Sequence, residues 1–181
     1  MKRRAAIRDL LMIAGGITIL PSCLNKQGKA SIALKNITIS AAQEKLLAEI
    51  ASTIIPQTDT PGAKELGAHL FVLKMLDDCY EKEDQKKFVR GLDELDQSTK
   101  NRFQHSFVEC SSDQREEILI AVEDNETFPP NVFDFYKIMK AKTLQGYSTS
   151  KYVLLNITKY EMIPTIPYNG YYPIKNLRAN G

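Results

Sequence analysis

Two histidines, His69 and His105, are the only imidazoles in the sequence, so any metal or acid–base chemistry would have to be built around them. His105 precedes Glu109 by four residues, which on a helix sets two metal-capable side chains on one face, although helices carry such pairs constantly as solvated neighbours. Asp77, Asp78, Glu81, Glu83 and Asp84 form an acidic run beside a helix end, better suited to a solvated face or linker than to a carboxylate dyad. Nucleotide and nucleophile motifs are missing: no G-x-G-x-x-G follows a strand, and there is no P-loop, G-x-S-x-G or H-E-x-x-H. The expectation is a chain that is not an enzyme and that holds no cofactor and no metal.

The cysteines carry a different chemistry. Leu20-Pro21-Ser22-Cys23 resembles a bacterial lipobox, in which the thiol is diacylated and the preceding peptide removed. Before it stand a basic stretch ending near Arg8 and an apolar stretch from Leu10 to Leu20, which with the small-residue site before Cys23 are the three parts of a secretory signal. Eleven apolar residues fall short of the ~20 that span a bilayer as a helix. Residues 1–22 are therefore expected to be a cleavable signal, and Cys23 a lipidation site that tethers the chain to a membrane. Arg3-Arg4-Ala5-Ala6-Ile7-Arg8 looks like a twin-arginine motif, with Arg3 and Arg4 as the export signal for cargo translocated already folded; a general secretory leader is the alternative. Localisation on the periplasmic side of a bacterial membrane follows from either. Cys79 and Cys110 remain as a pair available for a disulfide in an oxidising compartment, against two buried thiols as the other reading. Neither belongs to a C-x-x-C-H haem attachment.

Charge excludes a further class. Of 24 basic and 22 acidic residues, four basic and one acidic precede Cys23, so the remainder is near neutral and offers no electrostatic footprint for nucleic acid.

The elements that position these residues read as all-α. After a polar tether over residues 23–39, Ser40-Ala41-Ala42-Gln43 fits a capping box, and Leu46, Leu47, Ile50, Ala51 and Ile54 fall on one helical stripe that Pro56 stops. A second helix is expected after Gly62, capped by Asp59 or Thr60, with Leu66, Leu70, Leu73, Leu76 and Tyr80 on one face. A third should run from Lys82 to about Asp96, weakened at Gly91 unless a neighbour packs closely there, and a short fourth should start at Ser98 and hold Phe103 and Phe107. Ser111 to Gln114 supplies another cap, and Pro129-Pro130 opens a helix holding Val132, Phe133, Phe135, Tyr136, Ile138, Met139 and Leu144, with Gly146 in the stop position. The expected organisation is a helical domain over 40–146 and an aromatic, proline-rich segment over 147–181, which packs on the domain or on a partner. Six of the eight tyrosines lie in that segment.

The segment that reads as more than packing is Pro56-Gln57-Thr58-Asp59-Thr60-Pro61-Gly62. Its framing prolines and short polar side chains hold a loop in one shape, either as a helix connector or as a recognition loop. Together with Ala51, Ile54-Ile55 and Ala63, it resembles the opening of the gluconate 2-dehydrogenase subunit 3 family. So do Phe88 to Leu95, Phe135-Tyr136 with Lys140, Thr143 to Ser150, and Tyr160 with Pro164, while Pro173 to Gly181 has no counterpart. The resemblance implies a non-catalytic small subunit that helps a flavin-bearing catalytic subunit of the glucose-methanol-choline type to fold and cross the membrane. A c-type cytochrome often passes electrons onward in such complexes. On that reading Pro56, Thr58, Asp59, Thr60, Pro61 and Gly62 are partner contacts, with Tyr147, Tyr152, Tyr160, Tyr168, Tyr171 and Tyr172. The alternative is a free-standing structural or glycan-binding lipoprotein.

Overall fold

A computed structural model describes residues 28–124 and 128–161. Arg3, Arg4, Cys23, Tyr168, Tyr171 and Tyr172 lie outside the described residues. Those described form five α-helices and a π-helical turn, with no strand among them and no helix long and apolar enough to cross a membrane.

Helix α1, Ala41–Ile54, starts where its cap dictates: Ser40 Oγ accepts from the Gln43 amide (3.2 Å) and Gln43 Oε1 accepts from the Ser40 amide (3.0 Å). Leu46, Leu47, Ile50 and Ala51 are buried, and the Ile55 amide makes the last bond, to Ala51, before Pro56 ends the ladder.

Helix α2, Ala68–Cys79, starts five residues later than the sequence suggests. Ala63 to Gly67 form a separate turn, closed by the Ala68 amide on Ala63 O (2.9 Å), and Gly67 caps the helix at φ +69°. Neither Asp59 nor Thr60 is the cap. The buried stripe shifts accordingly to His69, Val72, Leu73, Leu76 and Asp77, leaving Leu66 and Leu70 half-buried. The C-terminal carbonyls of α2 are met by the buried Gln85 amide, which donates to Leu76 O and Tyr80 O at 3.0 Å.

Helix α3, Lys82–Phe103, is a single helix of 22 residues; the expected break before Ser98 is absent. Ser98 and Thr99 turn their hydroxyls back onto Glu94 O and Leu95 O instead of capping a new helix. Phe107 is fully buried in the turn that follows, with its amide held by Asp96 Oδ1 (2.9 Å). Helix α4, Ser112–Glu123, repeats the capping box with Ser111 and Gln114. Helix α5, Pro130–Ser148, begins at a proline whose missing amide has no partner to lose. It runs through Gly146, which is therefore not a stop. A Cβ on Gly146 would lie 2.8 Å from the Phe71 ring, so this glycine lets α2 approach α5. At Gly91 a Cβ would meet Asn131 O at 2.3 Å, so the close neighbour that a mid-helix glycine called for is α5. Phe88 and Phe135 lock the α3–α5 contact edge to face, with centroids 4.7 Å apart. The chain then folds into a π-helical turn, Val153–Ile157.

The polar stretch before α1 is fastened rather than free over its described part. Ala30, Ile32, Leu34 and Ile37 pack on the core, Ile39 is buried, and the Ala30 amide bonds Ile39 O (3.0 Å). The buried Asp77 carboxylate accepts the backbone amides of Lys35 (2.8 Å), Asn36 (2.6 Å) and Ile37 (3.0 Å). Residues 30–39 thus form a strap clasped to the C-terminal end of α2.

His69 is buried on α2, with Nδ1 unpaired. Burial pushes its pKa down, against the pull of Glu44 upward, and Lys64 adds a further push down. Because the folded value lies below the unfolded ~6.5, the neutral ring's stability is fully present above pH ~6.5 and is lost as pH falls through the folded value. Denaturant midpoints should therefore begin to fall below pH 6.5 in the wild type, and His69→Gln should remove that part of the profile.

Candidate partner-docking site

The loop between α1 and α2 is built from its base. The Ala63 amide bonds Ile55 O (2.9 Å), which closes the loop, and the Thr58 amide bonds Thr60 O (3.0 Å), which shapes its tip. Gly62 is wedged inside: a Cβ there would lie 2.6 Å from the Gln57 amide nitrogen and 2.8 Å from Ile55 O. Pro56, Thr58 and Asp59 are exposed, Thr60 and Pro61 half-buried and Gly62 buried. The result is a solvent-facing tip on a fixed base. Gly62→Ala should destabilise the domain by about 1–2 kcal/mol, since rigid backbone must shift. The measurement is a urea midpoint, together with faster amide exchange at Gln57 and Thr58.

An ion cluster holds the loop to the rest of the domain. Lys64 Nζ and Arg115 Nη1 each lie 2.6 Å from the half-buried Glu49 carboxylate, and Arg115 also donates to Phe107 O and Val108 O. Burial alone would raise the Glu49 pKa, but the Lys64 hydrogen bond and the Arg115 charge bring it below the ordinary carboxylate value. These charges join α1, the loop base, α4 and the turn before it.

The tyrosines divide. Tyr147, half-buried near the end of α5, donates from its hydroxyl to Pro61 O (3.3 Å), so the structure brings it to the loop as a support. Tyr152 is half-buried, and Tyr160 is exposed at 56%. The sequence reading missed Phe133, Leu144, Leu155 and Ile157, large apolar side chains that are 42–55% exposed. The sequence places Phe133 and Leu144 on α5 without assigning either to a face; the inward face is set by Val132, Phe135, Tyr136, Met139, Thr143 and Gly146, all buried. Spacing held the signal, because 133 and 144 share a face three helical turns apart, away from that stripe.

The residues considered for chemistry serve the scaffold. Glu109 accepts from the Ser106 amide and hydroxyl, tying a turn, while His105 is exposed. In the acidic run Asp77 is turned inward to the strap and Asp78, Glu81, Glu83 and Asp84 outward. Among the described residues, no three His, Cys, Asp or Glu side chains gather closely enough to hold a metal ion. Cys79 is an exposed free thiol and Cys110 a buried one, whose pKa burial raises. Tyr136 is pushed up by burial and by its 2.6 Å hydrogen bond to Glu123, which also takes Lys140 at 2.6 Å.

The sequence matches the family model described as gluconate 2-dehydrogenase subunit 3 over residues 41–165. The chain belongs to this family. No curated protein and no solved structure matches it. The span matched to subunit 3 opens on the first residue of α1 and takes in all five helices, the framed loop and the π-helical turn. The strap that clasps this subunit 3 domain through Asp77 lies before the matched span.

Proposed function

We propose that this subunit 3 chain is a non-catalytic accessory subunit that binds a flavin-dependent sugar or alcohol dehydrogenase of the glucose-methanol-choline type. It assists that subunit's folding and export, and holds it at the membrane through lipidated Cys23, where a c-type cytochrome takes the electrons. The observation that carries this reading is the framed loop, an exposed tip whose base is fixed by Gly62, Glu49 and Tyr147, in a chain of a dehydrogenase-subunit family. A preformed loop loses little conformational entropy on docking, so its contacts go largely into affinity. Exposed Tyr160, Leu144, Leu155 and Ile157 supply the apolar anchors that such interfaces use.

Export provides the test. In cells expressing both proteins, Arg3→Lys with Arg4→Lys should leave the flavoprotein and its activity in the cytoplasm, and Cys23→Ala should release both into the soluble periplasmic fraction. Full export of the flavoprotein in cells lacking this chain would overturn the reading.

A further inference from the structure

A groove of about 700 Å³ runs along the face of α3 turned away from α5. One wall is the helix and the other is the strap at Asn36, Ile37 and Thr38, which stands there because Asp77 clasps it. Ile37 and Val89, both half-buried, give the groove an apolar lining. Its rim charges separate along the helix axis. Lys82 and Lys86 stand at one end, while Asp93 and Glu94 stand further on, about 10 Å beyond Lys86 and about 17 Å beyond Lys82 at ~1.5 Å per residue.

Neither end is fully compensated. Lys86 meets only Glu83, in an exposed pair three residues apart, and Lys82 makes no ion pair among the described residues. Asp93 is met by the neutral amide of Gln43 (2.9 Å), and Arg90, between the ends, turns to Glu94 (2.8 Å). An apolar trough with a basic end and an acidic end selects an occupant of the reverse polarity, since like charges over either end repel it.

We propose that this groove receives a segment of the dehydrogenase subunit that is apolar on one side, acidic where it crosses Lys82 and Lys86, and basic where it crosses Asp93. The inference rests on the reading that the dehydrogenase is the partner. It adds a second contact, because the groove lies by the N-terminal end of α1 and the C-terminal end of α2, whereas the framed loop joins their other ends. With α1 14 residues long, the two contacts are about 20 Å apart. That separation fits within a single protein–protein interface. The strap, which leads towards Cys23, would thereby be held between its own domain and the partner.

The test uses the full chain and the purified flavoprotein, with affinity measured at low and at high salt. Lys82→Glu with Lys86→Glu, and separately Asp93→Lys, change exposed side chains, so the folded domain should survive, as an unchanged thermal midpoint would verify. Each should weaken binding about tenfold at low salt, with the difference shrinking as salt screens the rim. Wild-type affinity in both variants, while the unmodified chain still binds, would overturn the groove and leave the accessory-subunit reading standing. Failure of the unmodified chain to bind would bring down both.

Discussion

Replacing Gly91 with alanine is expected to lower the stability of the domain by about 2 kcal/mol, although alanine is the better helix former by ~1 kcal/mol. The new methyl would stand 2.3 Å from Asn131 O and 2.5 Å from Phe135 Cβ, neither of which is the free end of a flexible side chain. Asn131 sits in the first turn of α5 with its amide on both oxygens of Glu94, and Phe135 is locked against Phe88. Relief therefore requires α5 to move away from α3 as a unit. Overpacking of this kind costs up to ~3 kcal/mol, which outweighs the gain in propensity. A fall in Tm of roughly 8 °C is expected for a domain of this size. An unchanged or raised midpoint would show that the two helices have slack at their crossing.

Asp77→Ala should have a similar or larger effect, about 3 kcal/mol, and it should be localised. Three amides of the strap lose a charged acceptor, each such bond being worth ~1.5–3 kcal/mol, and part of the loss is recovered when Lys35 and Asn36 turn to water. Burial alone would raise the Asp77 pKa, but the three amides, with a smaller pull from Lys74, bring it below the ordinary value of 3.8. A depressed carboxylate contributes stability that is fully present above the unfolded value and is lost as pH falls through the folded one. The gap between wild type and Asp77→Ala should thus be complete at pH 7 and close as pH falls below ~3.8. Amide exchange read at Lys35, Asn36 and Ile37 should quicken in the variant by more than exchange in α3 does. Equal quickening everywhere would mean that Asp77 supports the core rather than the strap.

What the sequence made legible was local. The capping boxes at Ser40 and Ser111, the stop at Pro56 and the proline start of α5 depend on residues within four positions of each other, and all stand where expected. The all-α class followed from the periodicity of these segments. The errors came where a distant partner decides. Gly146 reads as a stop until Phe71 is placed against it, and Ser98 reads as a cap until its hydroxyl is seen to be satisfied within α3. The strap reads as a polar tether because its attachment is a single aspartate about forty residues on, inside what looked like a solvated acidic run. At the site, composition singled out the framed loop, and the structure adds the reason for its shape: Gly62 fits only without a side chain, and Tyr147 reaches Pro61 from α5. The outward-facing Phe133 and Leu144 do not stand out in the sequence, because apolar character alone does not say which side of α5 a residue occupies.

The most direct measurement is size-exclusion chromatography with light scattering on the two proteins expressed together, following flavin absorbance. The account predicts one peak whose mass is that of the flavoprotein plus this chain. Flavin eluting at the mass of the catalytic subunit alone, with this chain in a separate peak, would contradict it.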